Sequence, residues 1–273
     1  DFLELLTYAS QRHFTHIMSN LTLVDDARAK TLVALAPRRL GIPGGLIVIG
    51  TSLEGPPEMH AEIRGAKASF EKTIRAMRSL CAERDAAGKR FPRLHATTVI
   101  LAQNVGVLDE IVRVAKDAGA DELILLREMR VTDVLGGTET LESLRTFDGD
   151  PFPQPRIDRD VLRDSLEACA AAAREAGITL RLPPVTLEDV LDHYSGVPPD
   201  FSRFRCRAPW YMLGIDATGL AGGCPRYLCG NVRTEPLRRL WNSEAMRGFR
   251  RQCRHRLFPA CAGCCFVERS GEE

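Results

Sequence analysis

Cys206-Arg-Ala-Pro-Trp210, then Gly219, then Cys224, and far downstream Cys261-Ala-Gly-Cys264-Cys265 form the stretch on which the reading of this chain turns. Seven of the nine cysteines fall within the 60 residues from 206 to 265. Four thiolates brought together from two separated pairs can hold a zinc ion or an iron–sulfur cluster, because soft sulfur ligands suit both. Spacing must discriminate. A structural zinc ribbon usually has two tight C-x2-C knuckles. This sequence has one, Cys261 with Cys264, while Cys206 and Cys224 stand 18 positions apart with a glycine between them.

The order C-x12-G-x4-C followed by a distant C-x2-C resembles the SPASM domain of radical S-adenosylmethionine (radical SAM) enzymes. Its neighbours agree: Pro209-Trp210 after the first cysteine, Ile215-Asp216-x-x-Gly219 at a hairpin, Gly230-Asn231-Val232, and Leu240-Trp241-Asn242-Ser243. The resemblance covers about residues 203–268 and, more weakly, nearly everything before them. It implies an auxiliary 4Fe-4S cluster held by Cys206, Cys224, Cys261 and Cys264.

A chain of 273 residues has room for one large α/β domain and a small appendage. With 37 basic and 36 acidic residues the net charge is +1, which gives no footprint for nucleic acid and no acidic tail. No apolar run approaches the roughly 20 residues that cross a bilayer, and no basic-then-apolar signal segment opens the chain. Nine clustered cysteines, an odd number, fit metal ligation in a reducing compartment better than a disulfide framework. The expected location is the cytoplasm.

Upstream, strands alternate with helices. Strands are expected at 15–20, 46–49, 94–102, 122–126 and 178–182, and helices at 1–12, 25–36, 69–86, 107–118, 159–176 and 187–193. Leu46-Ile-Val-Ile49 between glycines marks a strand buried on both faces. This alternation predicts a parallel sheet with right-handed crossovers. Residues 132–156, with Gly136-Gly137 and three prolines, read as a long loop. Val197-Pro-Pro199 marks a boundary between domains at 1–198 and 199–273. Beyond it, strands at 211–215 and 220–224 bracket an Asp216–Gly219 turn, and Thr234 and Ser243 are expected to cap two helices. The fold class follows: a partial (βα) radical SAM barrel lacking its first strands, with a small cysteine-rich SPASM domain.

Ligands of parallel sheets bind at the carboxyl ends of the strands. There Ser19-Asn20, Ser52-Leu53-Glu54-Gly55 and Glu62-Ile-Arg64-Gly65 are similar to Thr-Asn-Gly, Ser-Leu-Asp-Gly and Ile-Arg-Gly stretches of the radical SAM barrel. A hydroxyl at Ser52 can bond ribose or amino-acid groups, and a guanidinium at Arg64 can pair with a carboxylate. The resemblance therefore implies Ser52, Arg64 and Leu126 as contacts of S-adenosylmethionine, with Asn20 beside them. Glu54 stands where the family has aspartate.

The family binds its catalytic cluster through C-x3-C-x2-C, and that spacing occurs nowhere in this sequence. A helix beginning much like Asp1-Phe2-Leu3-Glu4-Leu5 follows the family's second strand, so the expectation is an N-terminally truncated chain that does not itself cleave S-adenosylmethionine. The intact enzyme is implied to make a substrate radical by hydrogen abstraction. Its substrate would be a peptide or small molecule, and its electrons would come from a reductase or ferredoxin. Two alternatives stay open: a non-catalytic iron–sulfur electron-transfer or scaffold protein, and a zinc-stabilised binding module.

Other residues have plainer readings. Cys253 continues the Met246 and Phe249 face and is expected in the core, as are Cys81 and Cys169. Cys229 and Cys265 each neighbour an expected ligand and are candidates to replace it or to serve a second cluster. The six histidines show no metal spacing.

Overall fold

The structure is a computed structural model that describes residues 1–39, 44–129, 144–145, 149–182 and 184–271. Gly136-Gly137 and most of the 132–156 loop lie outside them. The chain divides into two compact units, Asp1–Leu126 with Asp160–Leu182, and Arg127–Arg159 with Pro183–Glu273.

The first unit is built on a five-stranded parallel sheet whose spatial order follows the chain: β1 (Phe14–Met18), β2 (Gly45–Ser52), β3 (Arg93–Ile100), β4 (Glu122–Arg127) and β5 (Thr179–Arg181). Phe14 pairs with Gly45, Val48 with Arg93 and Glu122 with Thr179. Helices α1 (Phe2–Ser10), α2 (Asp26–Ala34), α3 (Pro57–Arg64), α4 (Ser69–Ala86), α5 (Leu108–Asp117) and α6 (Arg159–Ala176) connect or flank the strands. α5 shows why such segments fold: Leu108, Ile111, Val112 and Ala115 fall on one face and are all buried, while its acids and bases face away. Asp25 caps α2 by accepting from the Arg28 N–H at 2.8 Å. Leu46, Ile49, Leu53, Met77, Leu80, Leu94 and Leu123 form the core, each contributing about 1.5–3 kcal/mol by leaving water.

α3 has no counterpart among the expected helices. Its one buried side chain is His60, so no apolar period announces it. Pro57 starts it where a missing N–H costs nothing, and Gly65 ends it at φ 64°. The loops that follow β2 and β3 are locked by Asn104, fully buried. Its Nδ2 donates to the carbonyls of Glu54 and Val99 at 3.0 and 2.9 Å, and its Oδ1 accepts from Leu101 N–H at 2.8 Å.

In the second unit, α7 (Leu187–Ser195) is closed by Thr186 and Asp189 with a reciprocal capping box. Val197-Pro-Pro199 lies inside this unit. There follow β6 (Phe204–Cys206), α8 (Ala208–Tyr211), β7 (Gly214–Ile215), β8 (Leu220–Gly222), β9 (Gly230–Asn231), α9 (Leu237–Trp241), α10 (Glu244–His255) and β10 (Val267–Arg269). β10 pairs antiparallel with β6, and β7, β8 and β9 form a meander. Tyr211 is helical, so the hairpin about Asp216 is shorter than expected. Ser243 caps α10 by accepting from Met246 N–H at 3.2 Å. Thr234 caps nothing: Pro236 occupies the N-cap of α9, and the Thr234 hydroxyl donates to the Asn231 carbonyl. Phe249 stacks between Tyr227 and Phe258, with centroids 4.6 and 6.0 Å away.

Candidate functional site

Within the second unit, Cys206, Cys224, Cys261 and Cys264 line one recess. Each sulfur arrives from a different local structure. Cys206 ends β6, where it pairs with Val267. Cys224 forms a bridge with Tyr227, whose N–H donates to the Cys224 carbonyl at 3.0 Å. Cys261 closes a 3₁₀ turn from Pro259, and Cys264 follows on the turn in which its N–H donates to the Cys261 carbonyl at 3.1 Å. Leu144, Phe249, Leu257 and Phe258 make the other walls apolar.

Main-chain amides face these sulfurs. The amide of Ala208 acts on Cys206, those of Arg226 and Tyr227 on Cys224, that of Phe258 on Cys261 and that of Phe266 on Cys264, each lowering the thiol's pKa. Such donors favour thiolate over thiol. Burial opposes them, pushing Cys206 and Cys224 up to about 11 and Cys261 well above its ordinary value. Cys264 goes the other way. The Cys265 thiol donates to its sulfur and overrides burial, with further help from the Phe266 amide and the positive charges of Arg127 and Arg226. Cys265 is raised in turn by the same contact.

The knuckle between Cys261 and Cys264 admits only glycine at its third position. Gly263 has φ 74°, and a Cβ there would meet His193 Cε1 at 2.7 Å and the Glu128 carbonyl at 2.9 Å. His193 is itself held: its Nε2 lies 2.7 Å from the Glu128 oxygen, and Glu128 N–H donates to Tyr194 Oη at 2.8 Å. Burial pushes the His193 imidazole down to about 4, so it is neutral near pH 7.

Cys253, read as core, is buried and also borders the recess beside Phe249. Cys229 lies outside the lining and packs between two apolar clusters, its thiol against Ser243. Cys169 is fully buried as expected. Cys81 is not: it is only partly buried, with Arg84 and Asp85 of the same helix at its sulfur.

The first unit has a second recess, of roughly 270 Å³, at the carboxyl ends of β1 and β2. Asn20, Ser52 and Arg64 all line it, and Leu126 does not. Asn20 Oδ1 accepts from both the N–H and the hydroxyl of Thr22, at 3.2 and 3.0 Å, which fixes its turn. Glu54 is 5 % exposed and lies 3.8 Å from the Arg64 guanidinium. Burial raises its carboxyl, opposed by the Val99 N–H and by Arg64. The residues that the motif reading missed are His60 and Lys72 in the lining and Asn104 behind it. His60 accepts from the Glu54 N–H through Nδ1 at 3.2 Å. Lys72 sits on α4 with nothing in its neighbours to mark it. Among the described residues no helix is long and apolar enough to cross a membrane.

Residues 206–265 match the SPASM family, described as an iron–sulfur cluster-binding domain. No match was found among curated proteins. The fold is similar to that of Streptococcus suis SuiB, at 16 % identity and a TM-score of 0.61, covering 92 % of this chain and 54 % of SuiB. SuiB bound to S-adenosylmethionine matches at 17 % identity and 0.62, and SuiB bound to precursor peptide SuiA at 15 % and 0.62, each over 92 % of this chain and 53 % of SuiB. This chain thus spans about half the length of the structures it resembles. Residues 206–265 match the SPASM iron–sulfur cluster-binding domain, and the chain as a whole shares the α/β fold of SuiB.

Proposed function

We propose that this chain is the later part of a radical SAM enzyme, in which Cys206, Cys224, Cys261 and Cys264 ligate an auxiliary 4Fe-4S cluster. The observation that carries this reading is the single recess lined by all four cysteines. Soft sulfur ligands suit either group, and the match of residues 206–265 to an iron–sulfur cluster-binding domain favours the cluster over a lone zinc. Bound there, the cluster supplies one-electron transfer. The protein's part is to fix the four sulfurs, direct amides at them and keep water out with Phe249, Phe258 and Leu257.

In the first unit, Arg64 and Lys72 offer two cations, and Ser52 a hydroxyl, to an S-adenosylmethionine molecule with its carboxylate and ribose. Glu54 orients Arg64, and Leu126 and Asn20 are further proposed contacts. SuiB bound to a precursor peptide supports a peptide substrate over other small molecules. A reductase or ferredoxin would supply electrons. The domains are proposed at 1–198 and 199–273, with function in the reducing cytoplasm.

Iron and sulfide analysis of anaerobically purified protein tests the centre. Wild type and Cys81→Ala should hold about four irons per chain, with the visible absorption of a cluster, and Cys206→Ala and Cys261→Ala sharply fewer. Equal iron in all four proteins would reject the ligand assignment. Zinc without visible absorption would reject the cluster.

A further inference from the structure

The helix that walls the cysteine recess turns a cationic face to solvent. α10 buries Met246, Phe249 and Cys253 on one side, and Phe249 and Cys253 line the recess. On the opposite side Arg247, Arg251 and Arg254 recur at i, i+4 and i+7, and all three are exposed. Glu244, the acidic residue of this helix, meets two of them at once, Arg247 at 3.3 Å and Arg251 at 2.6 Å. One carboxylate among three guanidinium groups leaves the face cationic. The helix dipole gives a local reason for Arg254 in the last turn and none for Arg247 and Arg251, which lie before it. Exposed ion pairs of this kind add little to stability. The excess is also local: residues 233–256 hold eight arginines and two glutamates in a chain whose net charge is +1. The platform is fixed, because Arg250 ties α10 to α9, donating to the Trp241 carbonyl at 2.9 Å and lying 4.2 Å over its ring.

An α-helix with its side chains is about 10–12 Å across, so a partner on the outer face of α10 would stand about one helix diameter from the recess. Clustered charge of one sign steers a partner of the other and speeds its encounter. Electron-transfer complexes form on small interfaces, below about 1,200 Å², a scale that one helix face can anchor. We propose that the outward face of α10 is the docking surface of an acidic one-electron carrier protein, which exchanges electrons with the auxiliary cluster. The inference rests on the cluster assignment above. The step moves one electron between carrier and cluster, with no bond formed or broken and no proton transferred. A carrier is favoured over nucleic acid because the basic face is one helix wide on a nearly neutral chain, and because the other side of that helix is a wall of the recess.

The test uses the full chain, with iron measured in parallel, and an acidic plant-type ferredoxin as the probe. Binding is followed by fluorescence anisotropy of labelled ferredoxin at about 50 mM salt, where exposed charges are weakly screened. Wild type should bind, and its affinity should fall at least about tenfold by about 500 mM salt. Arg251→Glu with Arg254→Glu should weaken binding at least about tenfold, whereas Arg251→Lys with Arg254→Lys should stay near wild type. Arg90→Glu with Arg113→Glu, at two exposed arginines of the first unit, should also bind as wild type does. Should the glutamate pair fold poorly, Arg251→Gln with Arg254→Gln decides, with a loss of at least about threefold expected. Wild-type affinity in the deciding pair, an equal loss in the first-unit pair, or no binding by wild type would overturn the proposal. So would a DNA duplex that binds more tightly than ferredoxin and loses affinity in the same variants, since the face would then serve nucleic acid. Electron exchange in the iron-loaded chain, started with either partner reduced by dithionite, should slow at least about tenfold in the deciding pair at low ferredoxin concentration. Equal rates, or no exchange in either direction, would overturn the carrier. A wild-type chain that binds no iron refutes the cluster assignment instead, and the binding measurements still decide the docking face, which keeps the two failures distinct.

Discussion

Gly263→Ala probes how tightly the cysteine knuckle is built. The substitution adds one methyl group, but at φ 74°, where an L side chain costs about 1–2 kcal/mol. The new Cβ would also stand 2.7 Å from His193 Cε1 and 2.9 Å from the Glu128 oxygen. His193 cannot swing aside freely, since its ring is flanked by Phe152 at 5.7 Å and Tyr194 at 5.2 Å and tied to Glu128 at 2.7 Å. Overpacking of that kind costs about 1–3 kcal/mol. The expected total is about 2–5 kcal/mol in urea or thermal unfolding, with less iron retained because the change lies between Cys261 and Cys264. Gly88 supplies the control. It has φ 60° and open space around it, so Gly88→Ala should cost the backbone term alone, about 1–2 kcal/mol. Trimming the obstacle with His193→Ala should make the double variant less than additive with Gly263→Ala by about 1 kcal/mol or more. A Gly263→Ala protein no less stable than Gly88→Ala, with full iron, would refute the steric argument.

Two further outcomes are expected. Asn104→Ala removes three hydrogen bonds from a fully buried site and leaves the Glu54 and Val99 carbonyls and the Leu101 amide unpaired, so unfolding should show a loss of about 2–4 kcal/mol. A loss below about 0.5 kcal/mol would mean that water replaces the side chain. Asp189 is pulled upward by burial, but Arg269 and Thr186 overcome this and its carboxyl lies below the ordinary 3.8. Its contribution is therefore full above pH 3.8 and disappears as pH falls through the lowered value. Asp189→Asn should be less stable at neutral pH, and the gap to wild type should close in acid. A gap independent of pH would show that the ion pair is not its source.

Sequence alone fixed the elements whose signals are local. Leu46-Ile-Val-Ile49 could be read as a buried strand because its hydrophobic run needs no knowledge of its neighbours. α4 and α6 carry apolar residues at helical intervals over 18 residues each. The cysteine order pointed to an iron–sulfur domain because ligand type and spacing are written in the chain itself. α3 escaped because it buries only His60, and Cys81 misled because its place on the α4 stripe did not reveal that Arg84 and Asp85 reach its sulfur.

Tertiary structure decided what depends on partners distant in sequence. Arg127 stands 137 positions from the Cys264 carbonyl it serves, and Asn104 stands 50 from that of Glu54. Gly263 is confined by His193 and Glu128, both far from it in sequence. Burial and charge compensation are properties of the folded surroundings. A linear chain displays which side chains can ligate, donate or carry charge, and only folding determines which of them are taken out of water together.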